Sequence, residues 1–317
     1  MGRRYDTISF LSDYGTDDES AGVVRAVLRD LAPHAHVVDL THSIPPFDVR
    51  AGSLALARAI GFVPAGVVLA IVDPAVGTSR RAIAVEVADG AGVIVGPDNG
   101  LLAPAVSMAG GSGRTVMLSN ADFHLGSPGF TSAGRDVFAP VAAHLCNGVD
   151  LAELGDVIDA DALMPGVVPL PREDGDAIVC EVLWVDRFGN CQLNVGPDDL
   201  AALATTIGDR VRIVTGEATD GTQVGEPMVR IASVQRTFAE VGVGAVGLVL
   251  DPHGMFALVL DRRSAADELG LGAGSQVAIE ALDDGGAPVA PPVSITASIT
   301  TAVASPGLRR TSAGAGQ

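Results

Sequence analysis

The sequence predicts an α/β protein: an N-terminal, mostly parallel, Rossmann-like sheet with helices on both faces, then a C-terminal all-β, barrel-like domain. Three observations predict it. Up to about residue 165, short strand-like apolar runs alternate with amphipathic helical runs, the pattern of a parallel sheet covered on both sides. Beyond about residue 176, short strand-like runs recur with turn residues between them. The 317 residues suit two domains, and 48% of them are hydrophobic, enough for two cores.

Ile8 to Leu11 reads as the first strand. Ser20 to Leu31 reads as a helix, with Val23, Val24, Val27, Leu28 and Leu31 on one face and carboxylates at its start. His36 to Leu40 is a strand, and Asp48 is expected to cap a helix running to about Ile60. Val67 to Val72, Ala82 to Val87 and Gly92 to Val95 follow as strands. Asp136 is expected to cap a last helix, Val137 to Leu145, which Gly148 closes. Met164 to Gly175 holds three prolines and two glycines without periodicity and reads as a linker between domains 1–165 and 176–283. In the second domain, strands are expected over Ile178 to Val185, Arg210 to Val214, Met228 to Val234, Val246 to Leu250, Met255 to Leu260 and Gln276 to Ile279. One short helix, Ser264 to Leu269, interrupts them, as expected for a small barrel or sandwich. Residues 284–317 are rich in Ala, Pro, Ser, Thr and Gly and read as a disordered tail.

The net charge is −18, and all 20 basic residues are arginine. No basic stripe exists for nucleic acid or an anionic membrane surface. Three cysteines without metal spacing, no signal-like apolar segment and no spanning run point to a reduced cytoplasmic protein. A serine-nucleophile elbow, a Walker A loop and an H-E-x-x-H motif are absent, no glycine-rich dinucleotide loop follows the first strand, and the six histidines form no metal set.

The chemistry-bearing residues gather at strand exits. Asp13 follows the first strand within Leu11-Ser12-Asp13-Tyr14-Gly15, where a carboxylate can accept hydrogen bonds from a ribose diol. Asp73 ends a buried strand in Val72-Asp73-Pro74-Ala75-Val76-Gly77, and Arg80 and Arg81 follow one loop later. Asp73 and Arg80 are either a structural ion pair or part of a site, and one of the two arginines is expected to reach that site while the other meets solvent. Gly96-Pro97-Asp98-Asn99-Gly100 forms a third exit. Asp18 and Ser20 start a helix and read first as caps. Asp186-Arg187-Phe188-Gly189-Asn190 has turn chemistry next to Trp184, the one tryptophan.

Taken together with Thr41-His42-Ser43-Ile44-Pro45-Pro46-Phe47-Asp48-Val49 and Gly134-Arg135-Asp136-Val137-Phe138-Ala139-Pro140, these motifs resemble the S-adenosyl-L-methionine (SAM) hydroxide adenosyltransferases. These are adenosine-forming SAM hydrolases related to the fluorinase and chlorinase enzymes. The resemblance runs from Ile8 to about Ile279. It implies hydrolysis of SAM to adenosine and L-methionine without cofactor or metal, in a homotrimer with SAM at the subunit interfaces. It further implies that Asp73 and Arg80 handle the attacking water and that Asp13 holds the ribose. Phe47 would line the ribose and adenine pocket. Asp18, Ser20 and Asp186 would hold the methionine end, and Asn190 would contact adenine. Where the family places a histidine, in Thr-Phe-His-Gly-Arg-Asp, this chain reads Thr131-Ser132-Ala133-Gly134-Arg135-Asp136. Pro252 and Asp261 also stand where the family has serine and asparagine. Two readings follow: hydrolysis by Asp73 and Arg80 without that histidine, or a SAM- or adenosine-binding protein with little turnover. His124, nine residues before Ala133, is the imidazole that could fold back into the gap.

Overall fold

The computed structural model describes residues 4–216 and 228–282. They fall into two compact units that divide between Val168 and Pro169. The expected tail, 284–317, lies outside the described residues.

The first unit is a seven-stranded sheet. Its elements are β1 (Thr7–Ser12), α1 (Ser20–Leu31), β2 (His36–Thr41), α2 (Val49–Ile60), β3 (Val67–Ile71), β4 (Ala82–Val87), β5 (Gly92–Pro97), α3 (Ala103–Met108), β6 (Thr115–Met117), α4 (Ala139–Cys146) and β7 (Asp156–Val157). The strand order is β2-β1-β3-β5-β4-β6-β7. Pairing is parallel from β2 through β5 and antiparallel from β5 to β7. The chain leaves β1 for β2 on one side, then crosses back to β3 on the other. The order therefore reverses between β1 and β3, at whose C-terminal ends such sheets bind ligands.

β3 explains why this arrangement is stable. All five of its residues are buried, because alternate side chains enter different cores. Val67, Leu69 and Ile71 pack with α1 and α4 residues such as Val24, Leu28 and Val141. Val68, Ala70 and the following Val72 pack with Leu56 and Ile60 of α2 and Val106 of α3. Each fully buried aliphatic side chain contributes roughly 1.5–3 kcal/mol.

Asp48 caps α2 as expected, accepting from Ala51 N–H at 2.8 Å. Asp136 does not cap α4. It lies inside a π-helical turn, Gly134–Phe138, that leads directly into α4, and its carboxylate takes Nε and Nη2 of Arg135 at 2.6 and 2.9 Å. The apolar period of α4 carries no sign of that wider turn. Single π-turns of this kind recur at functional sites.

The second unit contains β8 (Arg172–Asp174), β9 (Ala177–Val185), β10 (Cys191–Leu193), α5 (Pro197–Ala201), β11 (Arg210–Thr215), β12 (Met228–Gln235), β13 (Val246–Leu250), β14 (Phe256–Leu260), α6 (Ala265–Leu269) and β15 (Gln276–Ala281). The order β10-β14-β13-β12-β11-β15-β9 closes on itself through β9–β10, giving a seven-stranded barrel with β8 added outside β9. Alternation fills the interior: Ile178, Cys180 and Val182 of β9 meet Val211 and Ile213 of β11 and Val277 and Ile279 of β15. The expected linker is therefore partly strand. Arg172–Asp174 pairs with β9 across Gly175 and Asp176, with Gly175 at φ 62. A two-residue turn with its glycine left-handed is hairpin chemistry, and the prolines just before it concealed it.

Candidate functional site

Because β2, β1, β3 and β5 are parallel neighbours, their exits line up along one edge of the sheet. At the β3 exit, Asp73 Oδ1 receives Ala75 N–H at 3.2 Å and pairs with Nη2 of Arg80. Both side chains are mostly buried, 10% exposed for Asp73 and 14% for Arg80. Burial lowers the Arg80 guanidinium from its usual pKa, yet guanidinium stays cationic at neutral pH.

Asp73 and Arg80 line a cavity of about 430 Å³. Its opposite wall is the segment from Ala121 to Phe138, including His124, Ser127, Phe130, Ala133 and Asp136. The two walls touch at Gly77, where a Cβ would lie 3.1 Å from the Phe130 carbonyl oxygen. Gly77 also has φ 79, so a side chain there is disfavoured twice.

The neighbouring Arg81 is the more exposed of the two arginines, 30% against 14%, and is also tied down on the protein side. Arg81 binds Asp98 Oδ2 through Nε at 2.8 Å and the Ala162 carbonyl through Nη2 at 2.5 Å. Asp98 is 5% exposed and its Oδ1 takes Met164 N–H at 2.8 Å. Asn99 Nδ2 donates to the Val72 carbonyl at 2.9 Å. The β5 exit thus braces the β3 exit.

At the β1 exit, Asp13 Oδ2 accepts Phe47 N–H at 2.9 Å. Phe47 is held at φ 68 with 70% of its surface exposed. A bulky residue in that backbone region is strained. A hydrogen-bonded chain supports this exit from behind. Ser12 Oγ meets His42 Nδ1 at 2.8 Å, His42 Nε2 meets Asp39 Oδ1 at 3.0 Å, and Arg25 holds Asp39 Oδ2 at 2.6 Å. Gly15 N–H also donates to the His42 carbonyl at 2.7 Å. Ser12 and Arg25 lie far in sequence from Asp39 and His42, so only the pairing of β1 with β2 reveals the chain. Tyr14 packs its hydroxyl where a Cβ on Gly134 would stand, and burial raises its pKa.

Asp18 Oδ1 accepts Ser20 N–H at 2.8 Å. This bond holds the Asp18 carboxyl below its ordinary pKa, and both residues sit at the start of α1, apart from the cavity lining. In the barrel unit, Asp186 Oδ1 accepts Phe188 N–H and Asn190 N–H at 2.8 and 2.9 Å, and Asp186 Oδ2 accepts Asn190 Nδ2 at 2.8 Å. Gly189 turns this corner at φ 84 against the Ser264 cap of α6. Phe188 is left 76% exposed at the tip. Among the described residues, no cluster of three or more His, Cys, Asp or Glu could hold a metal ion.

Two family models match the chain: the SAM hydroxide adenosyltransferase N-terminal domain over residues 8–155 and the C-terminal domain over residues 180–278. The chain belongs to the SAM hydroxide adenosyltransferase family. Its relatives include the (R)-S-adenosyl-L-methionine hydrolase of Salinispora tropica, 40% identical over 86% of this chain and 97% of that protein. The enzyme of the same name from Thermus thermophilus is 38% identical over 85% of this chain and 98% of that protein. A solved structure of an uncharacterized conserved protein from Thermotoga maritima superposes with a TM-score of 0.76 at 31% identity, covering 86% of this chain and 99% of that one.

Proposed function

We propose that this member of the SAM hydroxide adenosyltransferase family hydrolyses SAM to adenosine and L-methionine by attack of water or hydroxide on ribose C5′. The observation that carries the reading is the Asp73–Arg80 pair on the wall of a cavity large enough to admit part of a nucleoside. Relatives named SAM hydrolase at 38–40% identity support it.

The sulfonium of SAM leaves as a neutral thioether, so no acid is needed to protonate it. What the reaction needs is an in-line water and charge stabilisation on the attacking oxygen. Alignment supplies up to about 7–11 kcal/mol. Arg80 stabilises developing hydroxide character, and Asp73 orients Arg80. Asp13 takes the ribose hydroxyls, and Phe47 stacks beside the ribose and adenine. Asp18, Ser20 and Asp186 hold the methionine end, with Asn190 at adenine. Asp186 and Asn190 belong to the barrel unit, and in a homotrimer they are supplied by the neighbouring subunit. The protein is cytoplasmic in this reading and uses neither cofactor nor metal. No helix among the described residues is long and apolar enough to cross a membrane.

The test is incubation with SAM in water enriched in heavy oxygen, with chromatography and mass spectrometry of the products. Heavy oxygen in the adenosine 5′-hydroxyl is the expected result. Intact SAM recovered with the protein makes it a binding protein, and methyl transfer or a halogenated nucleoside overturns the reaction.

A further inference from the structure

We infer that His42 is a positioning residue for Asp13, acting through the buried hydroxyl of Ser12. The inference rests on the reading that Asp13 takes the ribose hydroxyls, and it names what holds that carboxylate in place.

His42 follows β2, beside the exit of β1 that carries Asp13. It fixes residues 12–15 on both sides of Asp13. Nδ1 meets Ser12 Oγ at 2.8 Å, and the same Oγ accepts the Tyr14 N–H at 3.3 Å. The His42 carbonyl accepts the Gly15 N–H at 2.7 Å. Five residues on, the Phe47 N–H donates to Asp13 Oδ2 at 2.9 Å, so the segment that begins with His42 also holds the carboxylate itself. Asp13 Oδ1 carries no hydrogen bond among the described residues. A carboxylate oxygen accepts only, and Oδ1 is therefore the position left for a ribose hydroxyl.

The polar partners of His42 set its tautomer. Asp39 Oδ1 lies 3.0 Å from Nε2, while Arg25 holds Asp39 Oδ2 at 2.6 Å. The carboxylate can only accept, so Nε2 carries a proton. Ser12 is 0% exposed, and its Oγ has two partners among the described residues, the Tyr14 N–H and Nδ1. The Tyr14 N–H uses Oγ as an acceptor, so the hydroxyl proton goes to Nδ1. Left without an acceptor, a buried hydroxyl proton costs free energy. The bonds thus run in one direction, from Tyr14 N–H to Ser12, from the Ser12 hydroxyl to Nδ1 and from Nε2–H to Asp39. A buried network with every member satisfied specifies one geometry. Phe10 packs edge-on against the imidazole, with ring centroids 4.5 Å apart.

Serine, histidine and aspartate in one chain also describe a hydrolytic nucleophile, but this trio lacks what that role needs. Ser12 is inaccessible, and neither Ser12 nor His42 lines the cavity beside Asp73. The hydrogen bonds are spent on backbone instead. Releasing Nδ1 frees the Ser12 hydroxyl and the Tyr14 amide together, and Asp13 between them loses its fixed direction.

The decisive experiment measures dissociation constants of adenosine and 2′-deoxyadenosine by calorimetry. The proteins are the full chain and its Asp13→Ala, Ser12→Ala, His42→Asn and His42→Gln variants, each with a thermal melt. Wild type is expected to prefer adenosine by about tenfold or more, the worth of a hydrogen bond to a charged acceptor. Ser12→Ala and His42→Gln are expected to reduce that preference to about threefold or less, as Asp13→Ala does. His42→Asn returns an amide oxygen to the place of Nδ1 and is expected to keep the preference while losing the Asp39 contact. Damage to folding alone lowers both affinities together and leaves their ratio unchanged. Nitrogen-15 NMR gives a readout without ligand: the imidazole signal that disappears in His42→Asn should show a proton on Nε2 and none on Nδ1. A proton on Nδ1 reverses the bond to Ser12 and overturns the inference. A full preference retained in both Ser12→Ala and His42→Gln also overturns it, and leaves the hydrolase reading intact. A wild type that binds the two nucleosides equally overturns it by removing Asp13 from the ribose. Absence of labelled adenosine, with the preference still dependent on His42, overturns the hydrolase reading and supports the positioning role.

Discussion

Arg80 and Arg81 are adjacent in sequence, and each pairs with an aspartate at the exit of one of two neighbouring strands. Their circumstances differ. Asp98, the partner of Arg81, has its second oxygen on the Met164 N–H, and Arg81 also holds the Ala162 carbonyl. That pair is closed by backbone on both ends and fastens the loop around residue 162 to the sheet. Asp73 and Arg80 instead share one edge with a cavity wall. The same two residue types thus make a structural clamp on β5 and a chemically available pair on β3. What distinguishes them is how many of their remaining valences the backbone consumes.

The largest expected effect falls on the clamp. Asp98→Ala leaves the Arg81 charge and the Met164 N–H unpaired, and removing one partner of a buried pair costs about 3–5 kcal/mol. Denaturant unfolding should show that loss, whereas kcat of the folded fraction should change only a few-fold. A melting curve like wild type would mean the two pairs are equivalent. Arg80→Ala should reverse the pattern: kcat falls about 10²–10³-fold, and the unfolding midpoint moves less than in Asp98→Ala. Unchanged hydrolysis in Arg80→Ala removes Arg80 from the mechanism.

An exposed network supplies the small end of the comparison. Arg114 binds both oxygens of Glu86, at 3.0 and 2.9 Å, and Asp150 at 2.9 Å, with 44% of its side chain exposed. The hydrogen bond from Arg114 lowers the Glu86 pKa, and the Ala152 N–H followed by Arg114 lowers that of Asp150. Folded carboxylates with depressed pKa values stabilise the protein above the ordinary carboxylate range and lose that contribution as pH falls through the depressed values. Arg114→Ala should therefore cost about 0–1 kcal/mol at pH 7 and low salt. The difference from wild type should vanish in high salt and as pH falls through the depressed carboxylate values, as thermal melts across pH would show. A cost that persists under both conditions would class Arg114 with the clamp.

Much of this was legible in the chain. The double burial of β3 follows from an unbroken apolar run, and the capped helix after Asp48 from residue order, because both depend on near neighbours. The strand exits carrying Asp13, Asp73 and Arg80 were visible for the same reason. The role of Asp136 was not: a π-turn changes the register of one helical turn without changing its composition. Nor was the hairpin at Gly175, since proline-rich flanks look the same whether or not the next residues pair.

Sequence alone therefore determined the two-part architecture, the family and the residues at the strand exits. Hydrophobic period and motif order are local properties that any view of the chain preserves. Tertiary structure decided which arginine clamps a backbone loop and which pairs with Asp73, that Ser12, His42 and Asp39 form one chain, and that His124 belongs to the segment lining the same cavity as Asp73. Those facts depend on which strands are neighbours and which polar atoms the backbone has already satisfied, and both are set only when distant segments meet.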